Sequence, residues 1–356
     1  MKLGLGLYRH QLNTDHFRFA KQIGATHVIV HLVDYFNQGN AGNPKGNQPT
    51  GDSSGWGVAI PDDELWTVSA LQDLKAAIEK EGLVLEAIEN FDPGHWGDVL
   101  LDGPRKQEQL QHIKRIIECV GQAGIPIFGY NFSLAGVCSR TTGPYARGQA
   151  VSVAMSEVDE TPIPKGMVWN MIVDPDNLDE PHPEITHDQL WSRLQTFLKT
   201  VIPTAEASGV RLAAHPDDPP APFVRKSPRL VYQPQMYQRL LDLVPSSSNA
   251  LEFCLGSLAE MTEGDLYEMT QSYAERNAIA YIHFRNVSGK VPHYRETFVD
   301  DGDINMRRIL QILKASNFDG VMIPDHTPQV TCDAPWHAGM SHALGYMKGL
   351  LDSLQC

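Results

Sequence analysis

The chain is short of three things: cysteine, basic charge and long apolar runs. It has five cysteines in 356 residues, at positions 119, 138, 254, 332 and 356. An odd, widely spaced set in a chain large enough to bury its own core argues against a disulfide framework. Any special cysteine is then a ligand or a buried small hydrophobe. Lysine and arginine total 29 against 43 aspartates and glutamates, a formal charge of −14. Phosphate binding needs a net basic face, so no nucleic-acid partner is expected. An anionic small substrate would need local help from a metal or from arginines. No apolar run approaches the roughly 20 residues that span a bilayer, so no membrane partner is expected either. Met1–Tyr8 lacks the long apolar core and small-residue cleavage site of a signal peptide. It reads as a first strand, in a protein expected to be cytoplasmic. Also missing are a Gly-x-Gly-x-x-Gly turn after that strand, an internal repeat and a low-complexity linker. The first of these weakens a doubly wound open sheet as the architecture.

What is present is alternation. Short β-branched or apolar runs at Leu3–Tyr8, His27–Leu32, Val84–Glu89, Ile125–Phe132, Arg211–His215, Ala250–Leu255, Ile279–Val287 and Val321–Pro324 alternate with helical stretches. The clearest helix keeps Leu65, Val68, Leu71, Leu74 and Ile78 at spacings of three and four and stops at Gly82. Eight strands and eight helical segments in strict alternation predict one α/β domain over residues 1–356, a (β/α)8 TIM barrel. Two stretches, near 35–58 and 136–182, are too short for domains and too long for plain connections. Loops of that length at strand ends are where such a barrel builds its site.

Four polar residues recur at the C-terminal ends of the last four strands: His215, Cys254, His283 and Asp325. In a barrel those ends converge on one face, so residues far apart in sequence can meet. Two imidazoles, a thiolate and a carboxylate make an N/S/O shell for a divalent ion such as Mn2+, Fe2+, Co2+ or Zn2+. Taken singly, each has a plain structural explanation: a hydrogen-bonded histidine, a buried cysteine, a turn-capping aspartate. Their joint placement on successive strands points to a metal. The segment after His215 adds Asp217, Asp218 and three prolines. It reads either as a stiff turn or as a support in which Asp217 or Asp218 fixes the imidazole tautomer.

These strings resemble the mannonate dehydratase family. The resemblance rests on His-Pro-Asp-Asp-Pro-Pro at 215–220, Phe-Cys-x-Gly-Ser-Leu at 253–258, His-Phe-Arg-Asn-Val at 283–287 and Pro-Asp-His at 324–326. Gly302–Met306, Tyr130–Phe132 with Arg140 behind it, and Leu65–Val68 extend it from roughly residue 20 to 350. It implies a xylose-isomerase-like barrel that dehydrates a sugar acid, D-mannonate, to 2-keto-3-deoxy-D-gluconate. The implied cofactor is a divalent metal, commonly manganese (Mn2+), with Fe2+, Co2+, Mg2+ or Zn2+ as alternatives. The residues matching His215, Cys254, His283 and Asp325 would hold it, and His326 would serve in proton transfer. Arg285, Asn286, Arg140 and Asn131 become substrate-binding candidates, although Arg285 reads equally as the partner of an acid across the barrel mouth. The resemblance also suggests a homodimer or larger assembly.

The implied chemistry is coherent. Removing a proton next to a carboxylate needs an electrophile to hold the developing enediolate, and a metal supplies it. Expelling the neighbouring hydroxyl needs a general acid, for which a histidine is suited. The chain also departs from the family pattern. Val299 stands where a histidine is usual, and Trp336–Met340 replace a run containing a tyrosine implicated in catalysis. Asn90–Trp96 replace an Ile-Pro-Val-His-Glu stretch. His337 could stand in for the tyrosine, but it reads more simply as a surface residue at a helix start. The alternative activity is a sugar or sugar-acid isomerase or epimerase of the same barrel type, although those generally use carboxylate-rich shells with paired acids. A barrel nuclease is remote, and a non-catalytic sugar-binding protein is the remaining class.

Overall fold

The computed structural model of the chain describes residues 1–36, 48–50 and 55–354. Eight strands carry the core: β1 Lys2–Leu7, β2 His27–Val30, β3 Val84–Glu89, β4 Ile127–Tyr130, β5 Arg211–Ala214, β6 Asn249–Cys254, β7 Ile279–His283 and β8 Val321–Ile323. Each pairs in parallel with its sequence neighbours, and β8 returns to β1 through Lys2 opposite Val321. The sheet therefore closes, and an open doubly wound arrangement is ruled out. Among the described residues no helix is long and apolar enough to cross a membrane.

The helices stand outside the barrel and follow local signals. Helix α1 (Thr14–Gln22) is capped by Asn13, and α2 (Val68–Lys80) by Thr67. Helix α5 (His187–Ser208) opens on a Thr186–Gln189 capping box and stops at Gly209, which takes the left-handed conformation that favours glycine. Helix α6 is Pro234–Leu243. Helix α9 (Met306–Ala315) buries Met306, Ile309, Leu310 and Leu313 on one stripe. Helix α10 (Pro335–Ser353) closes the ring.

Strict alternation of eight helices needs correction, because two connections carry a pair. Helices α3 (Pro93–Leu101) and α4 (Lys106–Gln122) both lie between β3 and β4. The first forms because Asp92 caps it and Pro93 takes its first turn. The break comes where Asp102 turns left-handed. Between β6 and β7, α7 (Leu255–Glu260) follows the strand directly and α8 (Leu266–Glu275) starts on the Asp265 cap.

The run expected as one strand over Ile279–Val287 is also divided. β7 ends at His283, and Val287–Lys290 leaves the barrel to pair antiparallel with His293–Glu296. Ser152–Met155 and Thr141–Gly143 complete that four-stranded sheet. The long segment near 136–182 is thus partly ordered as strand. It supplies half of the small sheet and a two-stranded pair, Met167–Val168 with Met171–Ile172. Of the long segment near 35–58, residues 37–47 and 51–54 lie outside the described residues.

Candidate metal centre and active site

The period-2 alternation of the strands builds the site in layers. A buried cluster that includes Ile29, Ala87, Ile127, Ala213, Ala250, Tyr281 and Ile323 fills the barrel interior. Two residues further along the same strands, or just past their ends, stand His31, Glu89, Gly129, His215, Glu252, His283 and Asp325. Polar chemistry therefore begins one layer above an apolar floor, and Cys254 sits one step higher on β6.

Ligating atoms of His215, Cys254 and His283 lie within 4.8 Å of one another. Asp325 joins through His283, whose Nδ1 is 3.6 Å from Asp325 Oδ2. The other face of that imidazole meets acids missed by the sequence reading. His283 Nε2 lies 3.2 Å from Glu252 Oε1 and 3.3 Å from Glu89 Oε2. Neither ring nitrogen of the buried His283 has a hydrogen-bond partner among the described residues, and both Glu252 oxygens share that state. Orphaned buried donors and acceptors are rare in proteins without an ion or water to satisfy them. With a thiol and a carboxylate alongside, this donor set suits a divalent metal.

Electrostatics agree. Burial raises the Cys254 thiol, but Arg285, His215 and His283 outweigh it and hold the group well below the ordinary thiol range. The thiolate is the form that ligates metal. Burial alone would depress His215; Glu252 and Cys254 instead raise it to about 9. Asp325 is kept ionised against burial by His326 and His283. The two acids beside His283 divide: His31 and His283 hold Glu89 low despite burial, while burial and the Glu89 charge push Glu252 up. Gly129 makes room for this pair, because a Cβ there would collide with the Tyr281 hydroxyl and the Glu252 carboxylate.

The remaining candidates separate. His215 Nδ1 lies 2.5 Å from the Pro216 carbonyl oxygen, so the backbone fixes its tautomer and turns Nε2 toward the site. The expectation that Asp217 or Asp218 does this needs correction. Asp217 turns away to accept the amides of Leu230 and Val231 and to pair with Arg229 at 3.1 Å. Asp218 accepts from Arg285 at 2.9 Å and from Ser257 at 3.2 Å.

Arg285 is locked between Asp218 and Glu260, 3.9 Å from Asp325, in space that only a glycine at 256 leaves free. It reads as the partner of acids rather than as an open clamp. Asn286 is spent on the backbone: its amide donates to Val299 and Ile304 and accepts from Val287 and Ile304. Its expected grip on a substrate is corrected accordingly. Gly302 is small because that amide packs against it. Val299 is buried and serves as one of those backbone acceptors.

Arg140 and Asn131 do line the cavity over the cluster, with Tyr8, His31, Trp56 and Trp169. Asn131 Nδ2 is 3.5 Å from His215 Nδ1. Arg140, just before the small sheet, makes no hydrogen bond or ion pair to any described residue, and nearby Asp218 helps keep it charged against burial. His326 reaches the same cavity. Its Nε2 is 3.2 Å from Asp325 Oδ2, and its Nδ1 is 2.7 Å from Glu296 Oε1 on the small sheet. Gln48 donates to the second Glu296 oxygen at 3.0 Å. His337 lies elsewhere, on α10 against Phe19 and His16 of α1. It cannot replace a cavity tyrosine; Tyr8, stacked on His31 at 4.8 Å, lines the cavity, as does Tyr35.

Fold and site define a (β/α)8 enzyme barrel with a cluster of His, Cys and acid residues at its mouth that could hold a metal ion. Residues 56–356 match the D-mannonate dehydratase (UxuA) family, and the chain belongs to it, as a hydro-lyase of the mannonate dehydratase type. The mannonate dehydratase of Streptococcus equi subsp. zooepidemicus is 30% identical over 312 residues, covering 83% of this chain and 85% of that protein. That of Geobacillus thermodenitrificans is 27% identical over 328 residues, covering 83% and 86%. Among solved structures, the mannonate dehydratase of Streptococcus suis serotype 2 superposes with a TM-score of 0.74 at 24% identity, covering 99% of this chain and 94% of that one. A Planctomyces limnophilus xylose isomerase domain protein shares the fold alone, with a TM-score of 0.58 at 13% identity, covering 100% and 99%.

Proposed function

We propose that this chain dehydrates D-mannonate to 2-keto-3-deoxy-D-gluconate, with manganese held by His215, Cys254, His283 and Asp325. The observation that carries the reading is buried His283, both ring nitrogens unsatisfied, between Asp325 and the acids Glu89 and Glu252. A bound divalent ion supplies Lewis-acid stabilisation of the charge that builds on the substrate carboxylate.

The protein side chains do the rest. Arg140, charged and without a described partner, receives the carboxylate, and Asn131 meets a hydroxyl beside it. Ionised Glu296 accepts a hydrogen bond from the Nδ1–H of His326, which leaves Nε2 facing the cavity. His326 Nε2 takes the C2 proton and passes it to the C3 hydroxyl; the C2–H electron pair forms the C2=C3 double bond as the C3–O bond breaks and one water leaves. The resulting enol becomes the 2-keto acid. Tyr8, Trp56 and Trp169 wall the cavity and limit water. Free thiols at Cys119, Cys138, Cys254 and Cys332 suit a cytoplasmic enzyme.

A screen of aldonates against Mn2+-loaded protein tests the reading. Release of a 2-keto-3-deoxy acid from D-mannonate, abolished in His326→Asn, supports it; no such product from any aldonate sinks it. The buried acid pair Glu89 and Glu252 favours a second reading, an isomerase or epimerase, since paired carboxylates are what such enzymes use. That reading requires exchange between sugars without loss of water.

A further inference from the structure

A second group of ligating side chains converges among the helices outside the barrel, and none of the three lines the cavity. Asp63 stands on the short turn Asp63–Trp66 ahead of α2, His95 on α3 and His112 on α4. Their ligating atoms lie within 4.8 Å of one another. His95 Nε2 is 2.8 Å from Asp63 Oδ1, and His112 Nε2 is 3.7 Å from the same oxygen. The two imidazole rings are 4.6 Å apart.

A hydrogen bond explains His95 and Asp63. It does not explain His112, whose Nε2 is aimed at that same oxygen, is shielded from solvent and has no partner among the described residues. At 3.7 Å it is too far to share the hydrogen bond. Ligand atoms about 2.0–2.1 Å from a tetrahedral zinc stand about 3.3 Å from each other. The distances of 2.8 and 3.7 Å bracket that spacing. Burial also pulls both imidazoles below their ordinary values, ahead of any pull from Asp63, so their lone pairs are available at neutral pH. Two further charges face His112: Arg115 reaches its Nδ1 at 3.4 Å on the exposed side, and Glu108 is the other nearby acid.

We propose that Asp63, His95 and His112 form a Zn2+ site, completed by solvent, that clips α3 to α4 and to the turn before α2. Asp63 is 76% exposed at its side chain, so an ion has an open approach and room for water ligands. His95 is held from behind by the edge of Trp66, 5.9 Å away between ring centres. Two neutral imidazoles with one carboxylate suit zinc better than magnesium or calcium, which take oxygen shells. The site is independent of the cavity chemistry.

The test is a zinc count by mass spectrometry on protein stripped with chelator, equilibrated with Zn2+ and desalted. Wild type is expected to retain one equivalent more than the Asp63→Asn/His112→Gln double variant, whatever the barrel mouth holds. Asp63→Asn alone alters a largely exposed side chain and keeps an oxygen that can accept from His95 Nε2, so it guards against misfolding. It is expected to weaken the outer site at least tenfold while leaving the melting temperature in chelator unchanged. Equal zinc in wild type and double variant, or no change of affinity in Asp63→Asn, overturns the proposal.

Discussion

Glu296 Oε1 lies 2.7 Å from His326 Nδ1, across 30 positions of sequence, and joins the small antiparallel sheet to the barrel mouth. The His326 partner holds the buried carboxylate ionised, below the ordinary glutamate range, although burial opposes this. We expect Glu296→Gln to lower kcat about 10- to 100-fold, as loss of a group orienting a histidine does elsewhere. His326→Asn should cost about 100- to 10,000-fold. Steady-state kinetics across pH checks both. The glutamine variant should shift the pH profile, which a purely structural defect would not do.

Arg140 gives a different signature. A guanidinium that binds the substrate carboxylate acts in ground state and transition state alike, so its loss should raise KM more than it lowers kcat. A hydrogen bond to a charged group is worth about 1.5–3 kcal/mol. Arg140→Ala should therefore raise KM for the aldonate by about 10- to 100-fold. An unchanged KM removes Arg140 from the substrate.

Metal binding should release protons. His215 is raised to about 9 in the metal-free site, and Asp325 and Glu89 hold His283 well above the ordinary histidine range against burial. Ligation requires both to be neutral. Affinity for Mn2+ should therefore tighten as pH rises toward 9. Calorimetry in two buffers of different ionisation enthalpy should show proton release at pH 7. No buffer dependence would contradict the assignment.

Gly129→Ala is expected to be disproportionately harmful for one methyl group. The added Cβ would meet the Tyr281 hydroxyl and Glu252, on β7 and β6. Overpacking of this kind costs about 1–3 kcal/mol. A lowered melting temperature together with weaker metal retention is the expected pair of outcomes.

The convergence of His215, Cys254, His283 and Asp325 at the barrel mouth was legible because each ends an apolar run, and strand ends of a barrel share one face. The same arithmetic reaches the acids that were overlooked. Glu89 and Glu252 stand two residues beyond the inward-facing Ala87 and Ala250, so alternation alone puts them in the barrel. Glu296 and Gln48 had no such signal, since they arrive through long-range pairing of the small sheet and through a loop. Asp217 and Asp218 show why neighbours in sequence mislead: Asp217 folds back onto 230–231, and the backbone of Pro216 takes the contact expected of them. Helix α3 has no counterpart in the sequence reading, because nine residues are too few for a periodic stripe, although Asp92-Pro93 is a helix start.

The most direct test follows D-mannonate in D2O with Mn2+-loaded protein by NMR. The expected product is 2-keto-3-deoxy-D-gluconate with deuterium entering at C3 as the enol collapses, formed in step with loss of substrate. Deuterium exchange at C2 with every hydroxyl retained, or an epimer in place of the keto acid, would contradict dehydration at this site.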